Sequence, residues 1–339
     1  PEQFFPPVDR DMFSLEITLP TRTSFAATER LVREMDQRLL AKPGLESADW
    51  FVGKSAAPFY YNLIEGKFGA QNYAHAMVKT DNPERTAQLI RELEIELPEE
   101  FPEALVVVRK LEQGPPVSQP VEVRLYGNDL AVVQELGEQV RYLMSTLPNV
   151  TGSVASLGQV MPTAKFQLRE EILAATQFSP MDSTASLRAS LDGLIVGALL
   201  EDTEEVPVRV RVHADERSDA RDLQNLNLML QQPQGDLSFR PTPLQAIADM
   251  VLEPRVVSIP HYNGSRVNTV GAYIRSGVLA DTVLQDLRSA MDQTGFTLPP
   301  GYRMAFGGEA EERSESIAAM AAKVPVIFVL LVVVLVLSF

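Results

Sequence analysis

Residues 13–52 read FSLEITLPTRTSFAATERLVREMDQRLLAKPGLESADWFV, and this stretch decides the fold. Phe13–Leu19 alternates apolar and polar residues, which is the pattern of a strand with one buried face. Thr23 or Ser24 can then cap a helix, because a hydroxyl accepts a hydrogen bond from the first free backbone amides. After the helix, Leu45–Val52 is typical of another strand. The stretch therefore predicts a β-α-β unit.

The same order of strand, helix and strand recurs three more times along the chain. The later units open with strand-like runs at Tyr73–Lys79, Val121–Tyr126 and Val267–Ile274, and they close with Ala104–Leu111, Val150–Leu157 and Tyr302–Phe306. Two such units pair naturally into a four-stranded antiparallel sheet that carries both helices on one face, the ferredoxin-like arrangement. The sequence therefore predicts an α+β protein with four β-α-β repeats in two ferredoxin-like subdomains.

A segment of about 110 residues separates the third unit from the fourth, and a structureless loop of that length is improbable. We expect an α+β subdomain of its own, with a helix over Pro180–Leu200 and an alternating strand over Val206–His213. The alternation places Arg209 and Arg211 on the wet face of that strand. A solvated face is the ordinary interpretation of these two arginines, and a docking contact to another subunit or channel is the alternative.

Composition excludes several functions. The formal charge of −15 makes nonspecific nucleic-acid binding a poor hypothesis, because such binding neutralises phosphates with cations. The absence of cysteine excludes disulfides, thiolate metal sites and a cysteine nucleophile. The three histidines lie far apart in the sequence, and the chain has no Gly-x-Ser-x-Gly nucleophile motif. We therefore expect no enzyme, no cofactor and no metal site.

The C-terminal run is uncharged and almost wholly apolar. Residues 324–339 read VPVIFVLLVVVLVLSF. A membrane-spanning helix needs roughly 20 apolar residues, so the run predicts most of a transmembrane helix that is cut short. A buried helix or strand is the alternative. Because the chain also opens on Pro1 in place of Met, we expect a segment of a longer protein.

Several short landmarks together resemble a known family. They are Phe5-Pro6-Pro7-Val8-Asp9-Arg10, Lys42-Pro43-Gly44-Leu45, Val208-Arg209-Val210-Arg211, Thr242-Pro243-Leu244, Tyr262-Asn263-Gly264 and Gly307-Gly308-Glu309. In this order, with the repeats between them, they resemble one large periplasmic loop of a resistance-nodulation-division (RND) efflux permease. The match is to the hydrophobe/amphiphile efflux group and to the second half of such a permease.

The resemblance implies a division of the chain. Residues 1–117 would form the first porter subdomain, and 118–160 with 257–308 the second. Residues 161–256 would form the docking subdomain, and 309–339 a linker with the truncated membrane helix. It also implies an inner-membrane protein with this segment mostly in the periplasm, a homotrimer of the full-length permease, a periplasmic adaptor protein and an outer-membrane channel.

The resemblance further points to a substrate path. The loop after the second strand lies along that path in related permeases, and here it contains Phe51, Phe59, Tyr60 and Tyr61. Aromatic side chains give large apolar contacts at little entropic cost, which suits amphiphiles. The alternative is that Phe59 and Tyr61 are strand core and that Tyr60 faces water.

Strand register adds Glu16, Val107, Arg109 and Thr269, since equivalent positions face a cleft in related permeases. Arg109 is unusual, because it is a cation within the apolar run LVVVRKL. It could favour anionic amphiphiles by charge complementarity, or it could be an edge charge beside Lys110.

The resemblance implies proton-motive-force-driven multidrug efflux, with the proton-relay residues outside this segment. Three alternatives stay open at this point. An RND relative could export metal ions, another could export lipids or proteins, and a membrane-anchored periplasmic binding domain would have no transport role.

Overall fold

The computed structural model describes residues 10–60, 63, 66–111, 118–158, 160–176, 179–202, 204–217, 219–231 and 239–338. The chain divides into two compact units, one of Pro1–Met161 with Val256–Phe339 and the other of Pro162–Arg255. Both units contain helices and antiparallel sheets. The predicted α+β class is therefore confirmed.

In chain order the strands are β1 (Met12–Thr18), β2 (Leu45–Val52), β3 (Tyr73–Thr80), β4 (Leu105–Lys110), β5 (Val121–Tyr126), β6 (Val150–Ala155), β7 (Val160–Leu168), β8 (Leu194–Glu201), β9 (Glu204–Val210), β10 (Asn227–Gln231), β11 (Phe239–Pro243), β12 (Ala248–Val256), β13 (His261–Tyr262), β14 (Ser265–Ile274) and β15 (Arg303–Gly308). The helices are α1 (Phe25–Leu40), α2 (Pro83–Glu100), α3 (Leu130–Ser145), α4 (Glu170–Thr176), α5 (Pro180–Leu191), α6 (Ala220–Asn225), α7 (Leu244–Ile247), α8 (Ala280–Thr294) and α9 (Glu309–Ser338).

The first sheet has the strand order β2-β3-β1-β4, and every neighbouring pair is antiparallel. Its helices begin at polar caps, since Ser24 accepts from the Ala27 amide at 3.3 Å and Asn82 accepts from the Arg85 amide at 2.8 Å. Helices α1 and α2 bury their apolar stripes against one face of this sheet. Alternate residues of each strand therefore project from the opposite face.

The second sheet repeats this order, as β6-β14-β5-β15, with the short β13 also paired to β14. Helices α3 and α8 cover one face of it, and their side chains form a second apolar core with β5 and β14. Each four-stranded set therefore supports two helices on a single side, as the split β-α-β arrangement requires.

The second unit differs from the sequence prediction at two places. The predicted helix over Pro180–Leu200 is wrong in its second half, because α5 ends at Leu191 and Gly193 adopts a positive φ of 83°. A left-handed residue cannot continue an α-helix, and the chain enters β8 instead. The spacing of Leu187, Leu191 and Leu194 fits one helical face, but Leu194 opens a strand.

The predicted strand over Val206–His213 is present, but it ends earlier and is not half-exposed. Strand β9 spans Glu204–Val210 and pairs with β8 as a two-stranded hairpin, so Arg211 lies beyond its end. Every residue of both strands is exposed within the structure. The alternation of apolar and polar residues therefore does not separate a buried face from a wet one here.

Helix α9 follows β15 directly, so residues 309–323, which the sequence suggested as a linker, are helical. Within Glu309–Leu335, an 18-residue window has a mean hydropathy of 2.7, and no residue of that window is buried inside the structure. By length and composition it can cross a membrane, in agreement with the predicted apolar C-terminal helix.

Candidate functional site

The candidate site lies on the face of the first sheet that points away from α1 and α2, which we call the open face. Strand β1 buries Phe13, Leu15 and Ile17 against the helices, so Glu16 projects to the other side. In the strand register Glu16 lies opposite both His75 of β3 and Val107 of β4. The register therefore brings three strands together around Glu16.

Phe51 joins this group from β2, where it pairs with His75. The side chain of Phe51 packs with Met77 and with the apolar residues of the following loop. The open face is thus an apolar surface with a charged centre.

The loop 53–72 connects β2 to β3, and its described residues are 53–60, 63 and 66–72. Gly53 adopts a φ of 82°, which a residue with a side chain rarely tolerates, and its amide donates to the Tyr73 carbonyl at 2.8 Å. Farther along, Ala56 and Leu63 are buried with Met77 beneath them. The loop therefore has a turn at its base and an apolar contact in its middle.

Glu16 and Arg109 form an ion pair at the centre of the open face. The Nε of Arg109 lies 3.3 Å from Oε1 of Glu16, and the two side chains are only 23% and 24% exposed. Tyr73 donates its hydroxyl hydrogen to the other carboxylate oxygen at 3.0 Å. The two charges therefore offset each other within a partly buried, hydrogen-bonded group.

Arg109 also connects the first sheet to the second. Its Nη2 donates to the carbonyl of Ser118, and its guanidinium carbon lies 5.1 Å from the ring centre of Tyr273 on β14. Gln119 donates to the Tyr273 hydroxyl at 3.2 Å. Arg109 is therefore held on three sides and is not the solvated edge charge that the sequence also allowed.

Burial keeps the two aromatic titratable groups beside this pair neutral. Burial lowers the pKa of His75, and nearby Glu16 offsets part of that effect. Burial also raises the pKa of the Tyr73 hydroxyl well above its usual range, and Glu16 adds to the increase. The site therefore contains one compensated ion pair and neutral rings near pH 7.

The loop aromatics occupy different environments. Phe59 is 59% exposed and lies outside any strand, so the strand-core alternative is wrong for it. Tyr60 is half-buried, and its hydroxyl accepts a hydrogen bond from Arg10 Nε at 3.2 Å while the Arg10 guanidinium lies 4.8 Å from its ring centre. Tyr61, also proposed from the sequence, lies outside the described residues.

Thr269 belongs to the second sheet. It pairs with Arg124 of β5, and its amide donates to Ser156 Oγ at 2.8 Å. The second-sheet residue that reaches the ion pair is Tyr273, on the same side of β14 four positions later. Sequence analysis did not single out Tyr273, Tyr73 or His75, although the strand alternation that placed Thr269 also places Tyr273 beside it.

Arg209 lies in the second unit, where it lines an open cavity of about 1040 Å³ between α5 and the β8–β9 hairpin. Met181, Leu194 and Ile195 are among the apolar residues of that lining. Arg211 follows the hairpin and is exposed. Both arginines are accessible, as a docking contact requires. Across the described part of the chain, no three His, Asp or Glu side chains group as metal ligands would.

Comparison with known proteins finds one family model, several curated relatives and several solved structures. The sequence model of the AcrB/AcrD/AcrF family matches residues 1–339. The "Cobalt-zinc-cadmium resistance protein CzcA" of Cupriavidus metallidurans is 23% identical over 220 residues, which cover 65% of this chain and 20% of that protein. "Protein HelA" of Legionella pneumophila is 22% identical over 224 residues, or 66% of this chain and 21% of its own length.

The chain therefore spans about a fifth of the curated relatives that it matches. Among solved structures, "X-ray crystal structure of a heavy metal efflux pump, crystal form II" superposes with a TM-score of 0.75 at 18% identity. That superposition covers 97% of this chain and 33% of the other. At this level of identity the likeness shows a shared fold.

Proposed function

The chain belongs to the AcrB/AcrD/AcrF family of RND efflux permeases, and on that premise we propose that it guides amphiphilic organic molecules through the periplasmic part of a proton-motive-force-driven pump. Family membership and the whole-chain fold likeness support the transporter class. The substrate, the partners and the path are our proposal.

The open face of the first sheet and the loop 53–72 are the observation that carries the substrate class. Phe51 and Tyr60 offer partly exposed aromatic surface, and Phe59 adds an exposed ring on the loop, whereas Val107 is buried at 6% exposure. Such surfaces accept apolar groups of varied shape with little entropic cost. Because Glu16 compensates Arg109, the face needs no particular charge on its substrate, which argues against a preference for anions alone.

The division into subdomains follows the same proposal. We assign residues 1–117 to the first porter subdomain, 118–160 and 257–308 to the second, and 161–256 to a docking subdomain. The compact second unit, Pro162–Arg255, supports the last boundary pair. The chain would belong to the second half of the permease.

For the whole protein we propose a homotrimer in the bacterial inner membrane, anchored here through α9, with this segment mostly periplasmic. It would work with a periplasmic adaptor protein and an outer-membrane channel. Arg209 and Arg211 are the proposed docking residues of the second unit. Proton-relay side chains would lie outside residues 1–339.

Export of divalent metal ions is the second candidate function. The curated relative CzcA is named for cobalt, zinc and cadmium, and the superposed structure is titled as a heavy-metal efflux pump. A metal path would require oxygen, imidazole or thioether ligands facing one channel. The two candidates therefore predict different sensitivities in a strain that lacks the pump.

Deletion of the gene that encodes this segment tests both candidates. We expect the strain to become more sensitive to bile salts, detergents and hydrophobic dyes, and to regain resistance with the wild-type gene. Tyr60→Ala should restore resistance about five- to tenfold less well, because a central aromatic contact is worth more than 1 kcal/mol in many interfaces. Leu40→Ala, on the exposed side of α1, is the matched control and should restore it fully. Sensitivity that changes only toward cobalt, zinc and cadmium would replace the amphiphile proposal with the metal one.

A further inference from the structure

The open face of the first sheet carries one anion and one cation at its centre. Glu16 of β1 and Arg109 of β4 lie on neighbouring strands, and their side chains are 24% and 23% exposed. Phe51 belongs to the same row of the sheet through His75, and it is half-buried. Neighbouring strands lie about 4.8 Å apart, so Phe51 and Glu16, two strands apart, are separated by about 10 Å. An amphiphile whose apolar part rests on Phe51 therefore reaches the two charges with its head group.

Both charged side chains are held in place. Tyr73 donates its hydroxyl hydrogen to Oε2 of Glu16 at 3.0 Å, and the Nε of Arg109 lies 3.3 Å from Oε1. Arg109 also donates to the Ser118 carbonyl, and its guanidinium carbon lies 5.1 Å from the ring centre of Tyr273. The two charges therefore act on a bound molecule from fixed positions.

Two neighbouring groups show that the charges oppose each other across the face. Burial is the main cause of the lowered pKa of His75, where Glu16 favours the protonated ring and Arg109 disfavours it. Burial likewise raises the pKa of Tyr73, where Glu16 adds to the increase and Arg109 reduces it. Because the anion and the cation act with opposite sign at both positions, a head group beside them experiences little net potential.

We propose that Glu16 is a specificity-determining residue, which offsets the charge of Arg109 and so allows the open face to accept cationic and anionic amphiphiles alike. The inference rests on the proposed function, since it assigns a role to a residue of the proposed path. Neutralising Glu16 makes the central group one unit more positive, and neutralising Arg109 makes it one unit more negative. The face would then discriminate between head groups by their charge.

Two substitutions remove the charges separately. Glu16→Gln keeps the length of the side chain and still offers an oxygen to the Tyr73 hydroxyl. We expect this variant to favour an anionic over a cationic head group by about three- to tenfold, because a partly exposed charge is partly screened. Arg109→Gln should shift the preference by a similar factor toward the cation. The double variant should return close to the wild-type preference, because both charges are gone.

Competition for a fluorescent probe on the full-length protein measures this preference. The probe is the uncharged dye Nile red, and the protein is held in nanodiscs of phosphatidylcholine, with empty nanodiscs as the blank. Decyl sulfate and decyltrimethylammonium, which share one alkyl chain, displace the dye below their micelle concentrations. The ratio of their inhibition constants, relative to the wild-type ratio, reports the head group and removes the general attraction of an acidic protein for cations.

Glu29→Gln is the matched control. It removes the same unit of charge from the exposed pair with Arg33 on α1, which packs on the other face of the sheet, and it should keep the wild-type ratio. The affinity for Nile red reports whether the site of each variant is intact. Structural damage would weaken the binding of both surfactants, and it would not move their ratio in opposite directions in the two single variants.

An unchanged ratio in Glu16→Gln would overturn the inference, as would shifts of the same direction in the two single variants. If Arg109→Gln does not fold, the comparison of Glu16→Gln with Glu29→Gln still decides. A wild-type protein that does not bind Nile red or either surfactant would contradict the proposed function, and the inference with it. Binding with a ratio that no substitution changes would contradict the inference alone.

Discussion

At the residue scale, Arg109 shows how much a strand pattern can predict. Its position within an apolar run marked it as unusual, and alternation placed it with Glu16 and Val107 on one face. The pattern could not reveal the contact with Tyr273, because that residue reaches Arg109 from a different sheet through the tertiary fold. His75 was missed for a related reason, since its partner is a backbone amide of the loop and no sequence motif records such a bond.

The Glu16–Arg109 pair should be coupled in stability. Arg109→Ala would leave a carboxylate that is 24% exposed without its cation, and we expect the free energy of unfolding to fall by about 1–3 kcal/mol. Adding Glu16→Gln should recover part of this loss, because the uncompensated charge disappears. Thermal unfolding of the purified wild-type, single and double variants measures the coupling.

Arg33→Ala, which breaks the exposed pair with Glu29, is the control and should leave the unfolding temperature unchanged. Additive losses from the two site substitutions would contradict a coupled pair.

At the element scale, periodicity and helix caps predict most strands and helices. The prediction for residues 180–200 failed because one backbone angle, at Gly193, ends the helix. The leucines of 180–200 fit a helical stripe, but Gly193 ends that stripe by adopting a left-handed conformation. Asp192-Gly193 is a common turn dipeptide, and the prediction from the leucine spacing did not take it into account. The β8–β9 hairpin was misjudged because alternation indicates a buried face only where another element covers it.

Helix α3 approaches the second sheet closely at a glycine. A Cβ at Gly137 would lie 1.9 Å from Nδ2 of Asn268, a fully buried amide that donates to the Val133 carbonyl and accepts from the Leu157 amide. The absence of a side chain at this position is therefore what allows α3 to pack on β14.

Gly137→Ala should accordingly destabilise the protein, although alanine is the better helix former by about 1 kcal/mol. We expect a net loss of about 1–3 kcal/mol, because the new methyl group displaces Asn268 or moves the helix. Gln139→Ala, on the exposed side of the same helix, is the control and should change the unfolding temperature little. Chemical denaturation of both variants would show the difference, and a stabilised Gly137→Ala protein would contradict this account of the packing.

At the scale of the whole molecule, composition predicted more than it first suggested. The acidic charge and the uncharged C-terminal run already separated a water-facing part from an apolar helix. The sequence indicated the second compact unit only through the length of the segment between the third and fourth β-α-β units. The alternation in β8 and β9 did not predict their exposure, because the apolar residues of an interface and of a core follow the same sequence pattern.

The β8–β9 hairpin should be buried in the proposed homotrimer by a second copy of the chain. Leu199 and Leu200 are 61% and 77% exposed, and a two-stranded sheet with apolar residues on both faces is marginal in water. Leu200→Ser should leave the unfolding of the separate chain nearly unchanged but should shift the detergent-purified protein toward smaller species. Leu40→Ser, at a residue 50% exposed on α1, is the matched control for surface hydrophobicity. Light scattering after size exclusion measures the mass, and an unaltered mass for Leu200→Ser would exclude the hairpin from the subunit interface.

The two sheets share one strand order but differ greatly in the length of one connection. In the first sheet, the connection between its second and third strands is the loop 53–72. In the second sheet, the corresponding connection contains the entire unit Pro162–Arg255. One position in a repeated strand order thus carries two connections of very different length, while the pairing of the four strands around it is the same. Insertions at a surface connection disturb few core contacts, so this connection tolerates an added segment without loss of the surrounding fold.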